Sequence, residues 1–113
     1  MHELSIAMSI VEICTEEARK AGAAKVTHVE VEIGSLAGVE PEALSFSWDV
    51  ATQQTIMEGA PLVIMHIPAM ARCKKCGKEF PVENFFSPCP ECQEFGYEIF
   101  KGKELQIKSI LVE

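Results

Sequence analysis

The chain has 113 residues, enough for one domain with a modest core or for a small domain that carries a metal-stabilised module. Hydrophobic residues make up 48% and charged residues 24%, which excludes a wholly disordered chain. The formal net charge of −7 disfavours non-specific nucleic-acid binding, since phosphates attract basic surfaces. The apolar runs are far shorter than the roughly 18 residues of a membrane span, and the N-terminus does not resemble a signal peptide. We therefore expect a cytoplasmic protein.

Hydrophobic periodicity predicts two helices and three strands. The first helix is expected over Glu3 to Ala21, where apolar residues recur at three- and four-residue steps. The second is expected over Glu40 to Thr55, and strands are expected over Lys25 to Ile33, Leu62 to Ile67 and Leu105 to Val112. The predicted buried face of the first helix comprises Leu4, Ala7, Met8, Val11, Cys14, Ala18 and Ala21.

The segment from Met70 to Lys103 differs in composition from the rest of the chain. It contains cysteine pairs, glycine and proline in place of long stretches of apolar periodicity. The order of elements predicts an α+β fold, in which a small three-stranded sheet with two helices carries an inserted zinc-ribbon module. We expect residues 1–69 and 104–113 to form an α/β domain, and residues 70–103 to form the metal-binding module.

The strongest chemical signal is a pair of C-x-x-C motifs separated by twelve residues. Each motif typically folds as a tight turn, called a knuckle, that directs two sulfurs toward one point, and two knuckles supply a closed tetrahedral site suited to zinc. A closed site has no open position for water, so the metal would be structural. The predicted zinc ligands are Cys73, Cys76, Cys89 and Cys92.

The same motifs also occur in two other kinds of protein. Four sulfurs also suit the iron of a rubredoxin-like electron carrier, but Gln93 follows the last cysteine where rubredoxins usually have glycine. A nucleic-acid-binding ribbon is disfavoured because the five lysines of the module are offset by five glutamates. Zinc that stabilises the module remains the favoured interpretation.

The N-terminus offers a second metal-binding pattern. The α-amine of Met1, the imidazole of His2 and nearby amide nitrogens can form a planar nitrogen set, which favours Ni(II) or Cu(II) over zinc. From the residues alone this signal is weak, and an ordinary solvated terminal histidine is the favoured interpretation. No phosphate-binding loop or catalytic constellation is recognisable, so we expect no enzymatic activity. Cys14 falls on the apolar face of the first helix and is expected to be an inert core thiol.

The start MHELSIAMSIVEI, the segment VEIGSLAGVEPEAL and the two C-x-x-C motifs together resemble the HypA/HybF family of nickel-insertion proteins of [NiFe]-hydrogenase maturation. The resemblance covers the whole chain. It implies that His2 binds nickel, with Met1 and Glu3 contributing through the amine and the backbone, and that the four paired cysteines bind zinc. Some family members carry a histidine beside a zinc cysteine, whereas this module has none.

The function implied by the resemblance is that of a metallochaperone, which binds Ni(II) transiently and passes it to a hydrogenase large-subunit precursor. The implied partners are that precursor and a HypB-type nickel GTPase, together with urease maturation proteins in some members. Neither nucleic acid nor membrane is an expected partner. The alternative is a zinc-ribbon adaptor that recruits proteins without transferring nickel.

Overall fold

The protein is described here by a computed structural model, which covers residues 3–84 and 87–113. The described elements form two three-stranded sheets, with strand orders β2-β1-β6 and β4-β3-β5. This architecture confirms the predicted α+β fold. The elements are α1 (Glu3–Lys20), β1 (Val26–Gly34), α2 (Pro41–Ala51), β2 (Leu62–Ile67), β3 (Met70–Cys73), β4 (Glu79–Pro81), β5 (Tyr97–Lys101) and β6 (Leu105–Val112).

The chain divides into two compact units. The first comprises Met1–Glu32, Val39–Met65 and Gln106–Glu113, and the second comprises Ile33–Gly38 and His66–Leu105. Among the described residues, no helix is long and apolar enough to cross a membrane.

Backbone hydrogen bonds set the directions of the strands in the first sheet. The backbone N–H groups of Val29 and Ser35 each donate to a carbonyl group 32 positions later in the chain. Because this offset stays constant along the pair, β1 and β2 run parallel, and α2 lies in the segment that connects them. The start of β1 pairs with the end of β6, so these two strands are antiparallel. The bonds are Val29 N–H to Pro61 C=O (3.1 Å), Ser35 N–H to Ile67 C=O (2.9 Å), Gly34 N–H to Glu104 C=O (2.7 Å) and Glu113 N–H to Lys25 C=O (2.9 Å).

Helix α1 buries a slightly different face from the predicted one. Leu4 and Met8 are 44% and 55% exposed, whereas Ile10, which was predicted on a second apolar edge beside this face, is buried. The buried residues are Ala7, Ile10, Cys14 and Ala18, and three of these four are small. The helix therefore packs through a narrow row of small side chains, and hydrophobic periodicity alone assigned too much weight to the larger Leu4 and Met8.

Helix α2 ends at Ala51, four residues before the predicted end at Thr55. The hydroxyl of Thr52 donates to the C=O of Trp48 (2.8 Å), and Gln54 has a positive φ of 61°, which a continuing helix cannot contain. The buried Trp48 donates its indole N–H to the C=O of Ala60 (2.8 Å), so the segment after the helix is fixed by this side chain.

Strand β6 lies at an edge of its sheet and is largely exposed. Its apolar residues Leu105 and Leu111 are 40% and 59% exposed. An edge strand has a neighbour on one side only, so its apolar residues are covered less than those of the central strand β1.

The second unit is built on β3, which pairs antiparallel with β4 and β5. Ala71 lies opposite Phe80 on one side and Ile99 on the other. The rings of Phe80 and Tyr97 pack edge to face, with centroids 5.3 Å apart. The described residues that form the buried core of this unit include two of the paired cysteines: Ala69, Ala71, Cys73, Phe80, Val82 and Cys89.

Gly102 makes a close backbone contact within the second unit, and replacing it by alanine is expected to destabilise the protein. It has a φ of +113°, and an added Cβ would lie 2.3 Å from the Cα of Ala69. We expect Gly102→Ala to cost about 2 kcal/mol or more of unfolding free energy from backbone strain and overlap. Gly38→Ala is the matched control in urea denaturation, because Gly38 also has positive φ but open space around it. Equal losses in the two variants would contradict the steric argument.

Candidate metal centre

The two cysteine pairs lie in knuckles with the same hydrogen-bond pattern. In each knuckle, the backbone N–H of the first cysteine donates to the carbonyl of the residue five positions later. The carbonyl of the same cysteine accepts a hydrogen bond from the N–H of the residue four positions later. That fourth position has positive φ in both knuckles, at Gly77 (76°) and Gln93 (60°). Gln93 therefore adopts the backbone conformation for which the first knuckle uses glycine. The bonds are Cys73 N–H to Lys78 C=O (2.9 Å), Gly77 N–H to Cys73 C=O (3.0 Å), Cys89 N–H to Glu94 C=O (3.0 Å) and Gln93 N–H to Cys89 C=O (2.8 Å).

The knuckles bring all four sulfurs together. Every pair of Sγ atoms lies within 4.8 Å, with Cys73 and Cys92 at 3.4 Å and Cys76 and Cys89 at 3.7 Å. A tetrahedral zinc site with Zn–S bonds of about 2.3 Å has sulfurs about 3.8 Å apart. The geometry and the all-sulfur donor set therefore fit zinc.

The protonation of the cluster also favours a cation. Mainly the N–H of Cys76, which lies 3.5 Å from the Cys73 sulfur, lowers the pKa of Cys73 to about 6. At Cys92 the N–H of Glu94 lowers the pKa, but burial and the three other cysteines outweigh it and raise the pKa to about 12. One thiol thus ionises readily while another resists ionisation. A divalent cation would supply the positive charge needed to hold all four as thiolates.

Cys14 lies apart from this cluster, in α1 of the first unit. It is fully buried, and burial, together with the charge of Glu17, raises the pKa of its thiol to about 11. A buried thiol of raised pKa is a poor nucleophile and a poor metal ligand at neutral pH. These observations agree with its predicted place in the core.

Replacing Cys14 by alanine is expected to leave the metal content unchanged. The change removes one buried sulfur from the core of the first unit and should cost about 1–2 kcal/mol of unfolding free energy. Zinc stoichiometry and urea denaturation, measured on the same preparation, check both parts. Loss of zinc from Cys14→Ala would mean that Cys14 takes part in metal binding.

The predicted nickel ligands lie mostly outside the described residues. Met1 and His2 are not described, and the description of α1 begins at Glu3. The carboxylate of Glu3 accepts a hydrogen bond from the backbone N–H of Glu40 (3.2 Å), the residue just before α2. The starts of the two helices are therefore adjacent. Sequence reasoning missed this contact between Glu3 and Glu40, because no local pattern links two positions 37 residues apart.

The other two histidines take no part in a metal cluster of the described structure. His28 lies partly buried in β1, and His66 is exposed in β2. Over residues 3–84 and 87–113, the four paired cysteines are the only group of three or more histidine, cysteine or acidic side chains close enough to share a metal ion.

Comparison with known proteins identifies the family. The model of the HypA family, described as hydrogenase/urease nickel incorporation metallochaperones, matches residues 1–112. The chain belongs to the HypA family. A hydrogenase maturation factor HypA of Geobacter metallireducens is 46% identical over the full length of both chains, and one of Chlorobaculum parvum is 45% identical over the full length of both. The resemblance inferred from the sequence motifs is thereby confirmed.

Solved structures of the family share the fold. The solution structure of the Ni metallochaperone HypA from Helicobacter pylori superposes with a TM-score of 0.70 at 24% identity, covering 99% of this chain and 97% of that one. A second solution structure of a HypA protein gives a TM-score of 0.73 at 25% identity, covering 100% and 97%. At such low sequence identity the comparison supports a shared fold but does not identify individual metal-binding residues.

Proposed function

We propose that the protein is a nickel metallochaperone, without enzymatic activity, that delivers Ni(II) to the [NiFe]-hydrogenase large-subunit precursor during maturation. The observation that carries this proposal is the match of residues 1–112 to a family of nickel-incorporation metallochaperones. The curated relatives, named hydrogenase maturation factors, favour hydrogenase as the destination of the metal. An adaptor role without nickel transfer is not favoured by these comparisons.

The resident metal in this proposal is zinc, held by Cys73, Cys76, Cys89 and Cys92. When bound, zinc would link the two knuckles and leave no open coordination position. Its contribution is folding energy, which a unit with so small an apolar core needs. We propose on this basis that residues 70–103 act as the zinc module and that residues 1–69 and 104–113 form the nickel-binding domain.

The cargo, Ni(II), is proposed to bind at the N-terminus through the imidazole of His2, with the amine of Met1 and backbone nitrogen near Glu3. Nitrogen ligands suit nickel, while soft thiolates retain zinc, so the two metals are separated by ligand chemistry. The hydrogen bond from the Glu40 N–H to the Glu3 carboxylate supports this arrangement, because it fixes the first described residue beside the start of α2.

The partners follow from the same proposal. A chaperone that releases nickel in a controlled way needs a source of free energy, and this chain has no phosphate-binding loop. A HypB-type nickel GTPase in the cytoplasm would supply the nucleotide switch. The family description also names urease, so urease maturation proteins are a second class of proposed recipient.

The test is maturation in cells that lack their own family member. We expect the native chain to restore hydrogenase activity at low nickel and His2→Ala to fail, with excess nickel in the medium rescuing the His2→Ala cells. Equal protein levels of the two variants, measured by immunoblot, exclude a loss of folding. Full restoration by His2→Ala at low nickel would instead favour the adaptor role.

A further inference from the structure

The four paired cysteines differ in how far solvent reaches them. Cys73 and Cys89 are 2% and 0% exposed, Cys92 is half-buried, and Cys76 is exposed. The four proposed zinc ligands therefore have the same donor atom but differ in solvent exposure. Cys76 is the ligand that a reagent in solution meets first.

The chain beside Cys76 does not cover it. The next residue is Gly77, where even an added Cβ would meet nothing within 4 Å. Exposed lysines flank the cysteine, with Lys75 paired to Glu94 (3.4 Å) across the two knuckles. An oxidant in solution reaches an accessible thiolate before it reaches a buried one.

A second thiol lies in position to complete a two-electron oxidation. The sulfur of Cys89 lies 3.7 Å from that of Cys76, while Cys73 and Cys92 form the other close pair. A sulfenic acid formed next to a second cysteine condenses with it to a disulfide. The exposed Cys76 therefore has the fully buried Cys89 within reach of its sulfur.

We propose that Cys76 is an oxidant-sensitive modification site, where hydrogen peroxide initiates formation of a Cys76–Cys89 disulfide that releases the zinc. The Cys76 thiolate attacks the peroxide, so an S–O bond forms, the O–O bond breaks and hydroxide leaves. The Cys89 thiolate then attacks the Cys76 sulfur, so the S–S bond forms, the S–O bond breaks and a second hydroxide leaves. Two thiolates are oxidised by two electrons, and peroxide is reduced to two hydroxides, which protonate to water. The two remaining thiolates, Cys73 and Cys92, cannot complete a four-ligand site.

This inference rests on the proposed zinc assignment, and its test separates the two. Zinc is first quantified in the untreated native protein, and a preparation without one zinc per chain would contradict the assignment itself. The zinc-loaded protein is then treated with limiting hydrogen peroxide while a colorimetric chelator records the released metal. Digestion with trypsin and a glutamate-specific protease places each paired cysteine in its own peptide, because cleavage sites at Arg72, Lys75, Glu83 and Glu91 separate them.

We expect zinc release to parallel the appearance of the Cys76–Cys89 linked peptide, with Cys14 remaining reduced. A different first disulfide, or a disulfide formed without zinc release, would overturn the inference. As a matched pair, Cys76→His and Cys92→His each leave three sulfurs and one nitrogen, a ligand set that zinc accepts. Cys76→His should release zinc about tenfold more slowly than the native protein, and Cys92→His should differ much less. Equal slowing in the two zinc-loaded variants would contradict the special role of Cys76.

Discussion

Replacing His2 by alanine is expected to abolish nickel binding while zinc content and thermal stability stay at native values. The proposed nickel site draws its strongest side-chain ligand from the imidazole of His2, and nothing in the zinc cluster can replace it with nitrogen. Side chains in the first few residues of a chain generally contribute little to its folded core. The His2→Ala variant should therefore lose nickel binding and keep its fold.

The pH dependence of nickel affinity follows from the same ligands. The α-amine has a reference pKa of about 8 and imidazole one of about 6.5, and both must lose a proton before they bind metal. As pH falls from about 7.5 to about 6, protons compete more strongly with nickel, so affinity should decrease. The zinc content of the same samples serves as the internal control for folding.

Calorimetric nickel titration of four proteins distinguishes the ligands. The native chain and a form extended at the C-terminus should bind alike, whereas His2→Ala should not bind. A form extended at the N-terminus should bind weakly, because the extension removes the amine of Met1. Native-like affinity in His2→Ala would exclude the proposed site. Native-like affinity in the N-terminally extended form alone would retain His2 but exclude the amine, and would point to side chains such as Glu3.

The four-cysteine cluster was predictable because its signal is local. The spacing of each C-x-x-C motif determines the knuckle, and a knuckle has few alternative backbone conformations. Even the positive φ at Gly77 follows from the sequence, since glycine is the residue that most readily adopts it. At Gln93 the same conformation is imposed by the knuckle hydrogen bonds and could not be deduced from the residue type.

Features that depend on distant partners were not predictable. The contact between Glu3 and Glu40 joins positions far apart in sequence, and it depends on the packing of two helices. The buried face of α1 shifted toward Ile10 because the surface on which it packs is itself a product of the fold. Periodicity shows that one face of a helix is apolar, but the neighbouring elements decide which of its residues are covered.

Replacing Cys89 by serine is expected to remove zinc and unfold the second unit, while the first unit stays folded. Cys89 is fully buried. Its replacement leaves only three thiolates to bind the metal, and the second knuckle loses one of its two metal ligands. Zinc binding to structural sites contributes about 10–16 kcal/mol in small zinc-finger peptides, more than the whole stability of a typical domain. Among the described residues, few apolar side chains of the second unit are buried, and residues such as Ala71, Phe80 and Val82 cannot replace that contribution.

Amide hydrogen exchange, read separately for the two units, measures this outcome. In Cys89→Ser the amides of β3 and β4 should lose protection, while those of α1 and the first half of β1 should keep it. Cys14→Ser is the matched control, because it replaces another fully buried cysteine by the same residue but lies outside the cluster. It should keep one zinc per chain and full protection in β3. A strong zinc chelator added to the native protein should reproduce the Cys89→Ser pattern. Protection of β3 in metal-free protein would show instead that the second unit folds on its apolar core alone.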